Sequence, residues 1–462
     1  ITAYAVPKNN GKTSSGAGAL AKENNSIPPS THQELPAFAR NVLTNLRVPK
    51  QTLDPVETTL PNGIKLIVQP DHSTRTVTVA GEILSNANVQ EPAGKDGVAG
   101  ITTALLPFGT TTYDRLAFAT ELDKIAASTQ AGTSFSLQTL SADFDRGMQL
   151  LADEELHPRF DAQSFAIVKQ QTVGSLSGEI TSPDHLAGVA LAKALYPPND
   201  PDQRFATPAT AAALTLDDVK AWYASAYRPD LTAIVVVGDV TPAQAQASVA
   251  KYFGGWTAHG PKPVVYPPAV PNNEPSSAQV PATGRVQSSV ELVETTKLLR
   301  ANADFAPVEV ANTILSGGFY SSLLYHDLRE VHGYVYYVGS DLQAGKVRST
   351  FSVSYGSDPK NVLPAESLVV NDLRSMQRRP VAADRLLRAK AQLMGQIPIS
   401  QDSYDGVGSL LLEYGLLGLP LNQYALDARR ELDVSPAAIQ SAMSRWVRPD
   451  GFVRIVTGPG PN

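Results

Sequence analysis

The chain has 462 residues, enough for two to four domains, and 42% of them are hydrophobic against 18% charged, which predicts a folded body. Its 38 basic and 44 acidic residues leave a net charge of −6 without any local run of Lys and Arg, so nucleic-acid binding is not expected. The absence of cysteine excludes disulfides, cysteine-bound zinc, iron–sulfur clusters and thiol nucleophiles.

Residues 1–49 are predicted to form a polar N-terminal arm or linker. The stretch to about residue 36 is rich in Ser, Asn, Gly, Pro and Lys, a composition that buries little apolar surface. The chain starts at Ile1 without the basic-then-apolar pattern of a signal peptide, and we interpret this start as a cut end. Because no run of about 18 apolar residues is present, no transmembrane segment is predicted and a soluble protein is expected.

A first domain is predicted over residues 50–256. It opens with two strand-like runs around Asn62-Gly63, a dipeptide typical of type I′ hairpin turns. Strands open and close this segment and helices lie between them, which favours an α+β fold. The helical patterns cover Gly97–Leu106, Tyr113–Ile125, Asp143–Leu156 and Asp161–Ile180.

A Pro-rich linker over residues 257–284 separates this domain from a second one over residues 285–462. Arg228-Pro229-Asp230 recurs 220 residues later as Arg448-Pro449-Asp450, and Gly238 recurs at the same offset as Gly458. Each copy predicts a capped helix, a turn and a buried β-branched strand; the caps are Thr215 and Ser435, and the strands are Ala233–Val237 and Val453–Thr457. We therefore expect two homologous domains, each a mainly antiparallel sheet covered by helices.

The residues alone identify no catalytic centre. None of the seven histidines begins an H-x-x-E-H or H-x-x-x-H pattern, the spacings that bring two imidazoles to one zinc ion on a helix. No nucleophile elbow, P-loop or G-x-G-x-x-G is present either. Without further knowledge, the sequence indicates a two-domain α+β protein.

Several stretches, however, resemble the pitrilysin and insulinase superfamily of zinc metallopeptidases, which includes insulin-degrading enzyme and mitochondrial processing peptidase. They are LPNGIKLIVQP from Leu60, EPAGKDGVAGITTALLPFGTTTYDRLAFATELDKI from Glu91, and ILSGGFYSSLLYHDLREVHGYVYYV from Ile314. The Tyr-Arg-Pro-Asp turn with its following strand, and Phe253–Trp256, match the end of a family domain. The resemblance covers about residues 50–462.

The resemblance also marks a departure at the metal site. Active members carry G-x-A-H-x-x-E-H on the first helix, and in that register Gly100, Thr103 and Ala104 stand where the two histidines and the catalytic glutamate would be. Glu179 falls near the position of the third ligand. One carboxylate cannot hold catalytic zinc, and no general base remains at Thr103. We expect no metal in this chain, zinc on a partner half, and no activity of the chain alone.

An arginine–tyrosine pair of the family is retained. By motif it maps to Arg329 and Tyr336, and the resemblance implies that they bind substrate, since both donate hydrogen bonds that fix a peptide or stabilise an oxyanion. Without the family, they would be a salt-bridging Arg and a strand-packing Tyr. Gly317 and Gly318 lack Cβ and predict a close backbone approach, either by a partner domain or at a helix start.

The resemblance thus predicts a non-catalytic half or subunit of a clamshell metallopeptidase. It would pair with a zinc-bearing half, either a separate subunit or part of one fused chain, around a peptide or unfolded protein. The alternatives are a non-proteolytic scaffold subunit of a larger complex and an enzyme active by itself. Resemblance to bacterial members suggests export or the periplasm.

Overall fold

The computed structural model describes Ala37, Asn41, Leu43 and residues 45–318 and 321–461. The chain divides into the compact units Ile1–Asn45 and Leu46–Asn462, and the description that follows concerns the second unit. The predicted arm over residues 1–49 therefore lies almost wholly outside the described residues.

A mainly antiparallel sheet forms the centre of the first half. Within the described residues it consists of β1 (Val56–Thr59), β2 (Lys65–Pro70), β3 (Thr76–Ile83), β4 (Ser128–Gln130), β5 (Ser134–Leu140) and β6 (Thr232–Gly238). Their order is β1-β2-β6-β3-β5-β4, and the β2–β6 pair is parallel. β6 is buried at every position because both faces of this central strand are covered, as its continuous β-branched run predicts.

The helices of the first half are α1 (Ala87–Gln90), α2 (Val98–Leu105), α3 (Arg115–Lys124), α4 (Phe144–Leu156), α5 (Ala162–Glu179), α6 (Pro183–Leu195), α7 (Pro208–Ala213), α8 (Leu216–Ala226) and α9 (Pro242–Phe253). The four predicted helices correspond to α2–α5 and are confirmed to within two residues. Asp114 and Asp161 cap α3 and α5 by accepting hydrogen bonds from backbone N–H groups of the first turn. Short 3₁₀ turns lie at Leu106–Phe108, Ser141–Asp143, Pro201–Gln203 and Pro229–Leu231.

The second half has its own mainly antiparallel sheet. Its strands are β7 (Ser276–Val280), β8 (Ser288–Thr296), β9 (Val335–Ala344), β10 (Ser349–Ser357) and β11 (Val453–Thr457), in the order β7-β11-β8-β10-β9. The helices are α10 (Phe305–Asn312), α11 (Val362–Arg378), α12 (Ala383–Ser400), α13 (Tyr404–Leu417), α14 (Gln423–Asp433) and α15 (Pro436–Trp446). Thr313–Gly317 and Tyr325–Val331 are π-helical, and Pro359–Asn361 forms a 3₁₀ turn.

The two sheets repeat one topology. The series β2-β6-β3-β5-β4 matches β7-β11-β8-β10-β9, with one parallel pair followed by three antiparallel pairs in each. Gly238 is the last residue of β6 and has φ of 134°, and a Cβ there would lie 2.3 Å from the Thr76 carbonyl oxygen. Gly458 directly follows β11 and has φ of 121°, and a Cβ there would lie 2.6 Å from the Gln287 carbonyl oxygen. The predicted α+β fold class, with two mainly antiparallel sheets covered by helices, is confirmed.

Each half also contributes a helix to the sheet of the other. α6 packs on β11 and β7, where Ala187 and Leu195 join Ile455 in one apolar cluster. α13 packs on β6 and β3, where Leu411 contacts the cluster that contains Val235. The two helices begin 221 residues apart, close to the offset of the sequence repeat. Because each sheet is covered by a helix from the other half, the two halves share hydrophobic cores. The domain boundaries at residues 257 and 284 stay a prediction.

Equivalent arginines of the two halves donate hydrogen bonds to the backbone of the Pro-rich linker. Arg228 is buried and donates from Nη1 to the carbonyl oxygens of His259 (2.6 Å) and Pro261 (3.1 Å). Arg448 donates from Nη1 to the carbonyl oxygen of Asn273 at 3.0 Å, and its Nε lies 3.1 Å from the buried Glu294 carboxylate. The repeated Arg-Pro-Asp motif therefore orders the segment between the sheets.

The predicted hairpin at Asn62-Gly63 joins β1 to β2, but its predicted turn type is wrong. A type I′ turn needs positive φ at both residues, and only Gly63 has it, at 96°. The proline ring fixes the φ of Pro61 at about −65°. This favours a turn over residues 60–63, which is closed by a hydrogen bond of 2.9 Å from the Gly63 N–H to the Leu60 carbonyl oxygen. Among the described helices, none is long and apolar enough to cross a bilayer.

Candidate functional site

The helix expected to carry a degenerate metal motif is α2, and it packs as an ordinary surface helix. Its inward face is buried; that face consists of Val98, Ile101, Thr102 and Leu105. The i, i+3, i+4 spacing puts Gly100, Thr103 and Ala104 together on the opposite face, where Gly100 and Ala104 are exposed. These three side chains offer one hydroxyl and no imidazole or carboxylate.

Thr103 lies near a buried acid, Glu155, that was not predicted as a functional residue. Its Oγ1 lies 3.5 Å from the hydroxyl oxygen of Tyr227. Close by, the fully buried Glu155 accepts a hydrogen bond from the Gly132 N–H at 3.0 Å, while its other carboxyl oxygen has no partner among the described residues. Burial raises the pKa of Glu155 well above its ordinary value. Glu154 and Glu155 stand at positions of α4 that its periodicity predicts to be buried, and two acids at such positions were the sequence signal for this buried carboxyl group.

Glu179 is the last residue of α5, and its side chain is 56% exposed. Its carboxylate lies 3.8 Å from Nδ1 of His185. Across residues 45–318 and 321–461, no three His, Cys, Asp or Glu side chains are arranged to hold a metal ion. The positions derived from the metal motif therefore do not assemble a ligand set.

Arg329 and Tyr336, in contrast, lie next to each other. Arg329 belongs to the π-helical segment Tyr325–Val331, the chain turns at Gly333 with φ of 64°, and β9 follows. Arg329 Nη1 donates to the carbonyl oxygen of Val335 at 2.8 Å, and its guanidinium carbon lies 5.8 Å from the Tyr336 ring centroid. This distance permits a cation–π contact. π-Helical segments are frequent at functional sites, and this one was not predicted.

The two side chains differ in how their donors are used. Tyr336 donates its hydroxyl proton to Asp358 Oδ1 at 2.7 Å, and this hydrogen bond raises the pKa of Tyr336. The other N–H groups of Arg329 have no hydrogen-bond partner in the part of the chain that the structure describes, and the side chain is exposed. The site thus offers a free guanidinium edge beside a phenol oriented by a carboxylate. Asp358 follows β10 without any motif and could not be predicted.

The neighbouring tyrosines make packing contacts instead. The Tyr337 ring covers Gly356, where a Cβ would lie 2.4 Å from the ring, and its hydroxyl lies 2.9 Å from Ser289 Oγ. Tyr334 lies against His332, with ring centroids 5.2 Å apart. Tyr337 pairs with Gly356 and Val335 with Ser357, so Tyr336 is the extra residue of a β-bulge in β9, a feature that changes the direction of a side chain.

The predicted close approach at Gly317 and Gly318 is made by the chain itself. Gln392 on α12 donates to the Gly317 carbonyl oxygen, and a Cβ on Gly318 would lie 2.4 Å from Ser321 Oγ. These contacts fit the interpretation as a tightly packed helix connection.

Behind the π-helical segment lies a pair of acids. Burial and the neighbouring Asp327 raise the pKa of Asp372 to about 8, while Arg385 acts in the opposite direction. His326 Nδ1 lies 2.6 Å from Asp327 Oδ1. The inner side of the segment that presents Arg329 is therefore lined by polar and ionisable side chains.

Known proteins resemble this chain over most of its length. Residues 213–393 match the model of the peptidase M16 inactive domain. The uncharacterized zinc protease YmxG of Bacillus subtilis is 21% identical over 351 residues, which is 75% of this chain and 84% of YmxG. The crystal structure of a peptidase M16 inactive domain from Pseudomonas fluorescens superposes with a TM-score of 0.78 at 23% identity, covering 88% of this chain and 98% of that one.

A further solved structure differs in length. The periplasmic protease PqqL of Escherichia coli superposes with a TM-score of 0.74 at 14% identity. The match covers 89% of this chain but 46% of PqqL. The fold described above thus accounts for about half of that protein.

Proposed function

We propose that this chain is the zinc-less half of a clamshell peptidase. The chain is a member of the pitrilysin and insulinase superfamily, and its residues 213–393 match the peptidase M16 inactive domain. In this role it pairs with a zinc-bearing half, as a separate subunit or within one longer chain. The substrate enclosed between the halves is a peptide or an unfolded protein. This chain contributes binding and orientation of that substrate.

The observation that carries the proposal is the contact between Arg329 and Tyr336. The guanidinium is anchored through one N–H to Val335 and keeps its remaining donors exposed, so it can bind a peptide carbonyl without first losing an internal partner. Tyr336 adds a second polar group at 45% exposure. The exposed guanidinium donors, held in place by Val335, stabilise an oxyanion without reorganisation during the reaction. The single phenol proton of Tyr336 must leave Asp358 before it can be donated to the substrate.

The first half supports the same division of labour. Gly100 and Ala104 have no side chain that can bind a metal, and Thr103 cannot act as a carboxylate base. Zinc on the partner half would polarise the scissile carbonyl and activate water. The match to about half of PqqL supports an arrangement in which a second body of similar size completes the enzyme.

The test is reconstitution with the zinc-bearing half, identified by an H-x-x-E-H motif in the same reading frame or a neighbouring one. We expect Arg329→Ala to lower kcat/KM for peptide hydrolysis about 100-fold and Tyr336→Phe to lower it about 10-fold. The matched controls are Arg379→Ala, an exposed arginine without side-chain contacts within the described residues, and Tyr337→Phe. Wild-type turnover in both Arg329→Ala and Tyr336→Phe would refute the assigned role and favour a scaffold.

We also propose a location outside the bacterial cytoplasm, in the periplasm or beyond. A cysteine-free chain is compatible with an oxidising compartment, and the related fold of PqqL belongs to a periplasmic protein. Cell fractionation followed by detection of the native protein tests this. Recovery in the cytoplasmic fraction alone would contradict it.

A further inference from the structure

Two adjoining cavities lie where the first sheet, α13, the Pro-rich linker and the turn between β9 and β10 meet. Their volumes are about 430 and 480 Å³, and they share Leu84, Tyr266 and Leu416 as lining residues. Each is within the range of about 300–1,000 Å³ typical of small-ligand sites. We call the two together the junction groove. It contains neither Arg329 nor Tyr336.

One end of the junction groove is cationic. Lys65, Lys262 and Lys346 line it, each from a different segment. Lys65 is already paired, since its Nζ lies 3.6 Å from the Glu57 carboxylate and donates to the Gly415 carbonyl oxygen at 3.0 Å. Lys346 Nζ lies 5.1 Å from the Tyr266 ring centroid and has no carboxylate partner among the described residues, while Lys262 Nζ donates to a backbone carbonyl at 2.8 Å. The acid at this end, Asp230, is already paired with Arg228 through two hydrogen bonds.

The other end is acidic. Glu82 on β3 and Glu413 on α13 line the second cavity. The carboxylate of Glu82 has no hydrogen-bond partner within the described ranges although the residue is half-buried, and burial raises its pKa. A partly desolvated carboxyl of this kind favours a cationic ligand that restores its lost hydration.

The middle of the groove is apolar with one unused polar atom. Phe135, Leu412 and Leu416 provide the apolar lining. The hydroxyl oxygen of Tyr266, which belongs to the shared wall, is buried without a hydrogen-bond partner. Buried hydroxyls are normally paired, so this atom requires a partner that the described residues do not provide.

From this arrangement we infer that the junction groove binds a short peptide with free termini. The terminal carboxylate lies at Lys262 and Lys346, the ammonium group lies at Glu82, and an apolar side chain fills the space between, with Tyr266 bonded to the peptide backbone. Short zwitterionic peptides are the chemical class that peptide hydrolysis releases. The inference goes beyond the proposed function, because binding here requires neither zinc nor a partner half.

Charge complementarity separates this occupant from simpler ones. Inorganic phosphate would pair with the lysines but leave Glu82 and Glu413 facing an empty apolar cavity. A fatty acid would match the lysines and the apolar middle, yet its tail would further desolvate the half-buried Glu82 without compensation. A ligand with both charges and an apolar centre satisfies all three parts of the groove.

The test is calorimetric titration of the full chain, without partner or zinc, by the tripeptide Leu-Ala-Leu in free, C-amidated and N-acetylated forms. We expect the free tripeptide to bind, and each blocked form to bind at least about 10-fold more weakly, the loss typical of one charge-assisted hydrogen bond. Lys346→Ala should remove the effect of amidation alone, and Glu82→Gln that of acetylation alone. Lys360→Ala and Glu274→Gln, both at exposed residues, are the matched controls.

The possible outcomes are distinct. No binding of the free tripeptide, equal binding of all three forms, or binding of phosphate or decanoate in preference to the tripeptide would each overturn the inference. Thermal unfolding of every variant verifies that the fold is intact, and Tyr266→Phe weakens binding without lowering Tm if the hydroxyl contacts the ligand. The titration requires neither zinc nor a partner half, whereas the proposed function is tested by hydrolysis in the reconstituted enzyme, so failure of this inference and failure of the proposed function are separable.

Discussion

Helix α2 of the first half and the segment from Tyr325 to Tyr336 of the second half differ in the side chains that they expose. α2 keeps the buried face that anchors it but presents Gly100, Thr103 and Ala104 outward, so its surface has no reactive group. The second segment fixes Arg329 to Val335 and brings it to 5.8 Å from the Tyr336 ring. The packing of this fold is therefore separable from its chemistry, since α2 keeps its buried face although its outer face carries no metal-binding side chain.

The largest effects are expected where both halves share the scaffold. Gly238→Ala and Gly458→Ala each place a Cβ against a carbonyl oxygen at positive φ, so each should lower the free energy of unfolding by about 3 kcal/mol or more. Denaturant unfolding measures this, with Gly255→Ala as control because a Cβ there meets no atom within 4 Å. A large loss in one half and none in the other would break the structural equivalence.

A smaller effect should distinguish the acids beside the two equivalent arginines. Arg228 lowers the pKa of Asp230, whereas burial raises the pKa of Glu294 from 4.5 to about 8 despite Arg448. A raised pKa in the folded state means that Glu294 favours folding below about pH 4.5 and that this contribution is lost as the pH rises through about 8.

The measurement is the free energy of unfolding at pH 5, 7 and 8.5. We expect Glu294→Gln to flatten the decline of stability between pH 5 and 8.5 relative to the wild type. Glu291→Gln, on the same strand, serves as the control. An unchanged slope in Glu294→Gln would show that Glu294 is ionised in the folded protein.

The smallest effect concerns the orientation of Tyr336. Asp358→Asn removes the charge that holds the phenol proton, so the pKa of Tyr336 should fall toward its ordinary value while stability changes by less than about 0.5 kcal/mol. Ultraviolet or NMR titration of the phenol detects this shift, with Tyr337 as the internal reference. A constant pKa would mean that Asp358 does not position Tyr336.

The sequence predicted local structure well where capping and periodicity agree. Thr215 and Ser435, the two predicted caps, accept backbone N–H hydrogen bonds at the starts of α8 and α15, and the Arg-Pro-Asp repeat identified equivalent helices and strands. The exchange of α6 and α13 could not be predicted, because periodicity shows which face of a helix is buried but not which sheet covers it. The predicted type of the turn at Asn62-Gly63 was wrong because Pro61, whose own φ is fixed by its ring, is a central residue of the turn that forms.

The candidate site was predictable to a lesser degree. The spacing of Arg329 and Tyr336 did not by itself indicate contact, and family resemblance identified the pair. The π-helical turn that brings them together, the carboxylate of Asp358 and the buried Glu155 are set by tertiary contacts between distant segments. Such contacts leave little signal in one sequence.

The central claim is that this chain acts through the second segment and not through α2. The most direct measurement is kcat/KM of the reconstituted enzyme with Arg329→Ala compared with Thr103→Ala, at equal occupancy of the zinc-bearing half. We predict a loss of about 100-fold for Arg329→Ala and less than about 2-fold for Thr103→Ala. A loss confined to Thr103→Ala, or wild-type rates in both, would contradict the account.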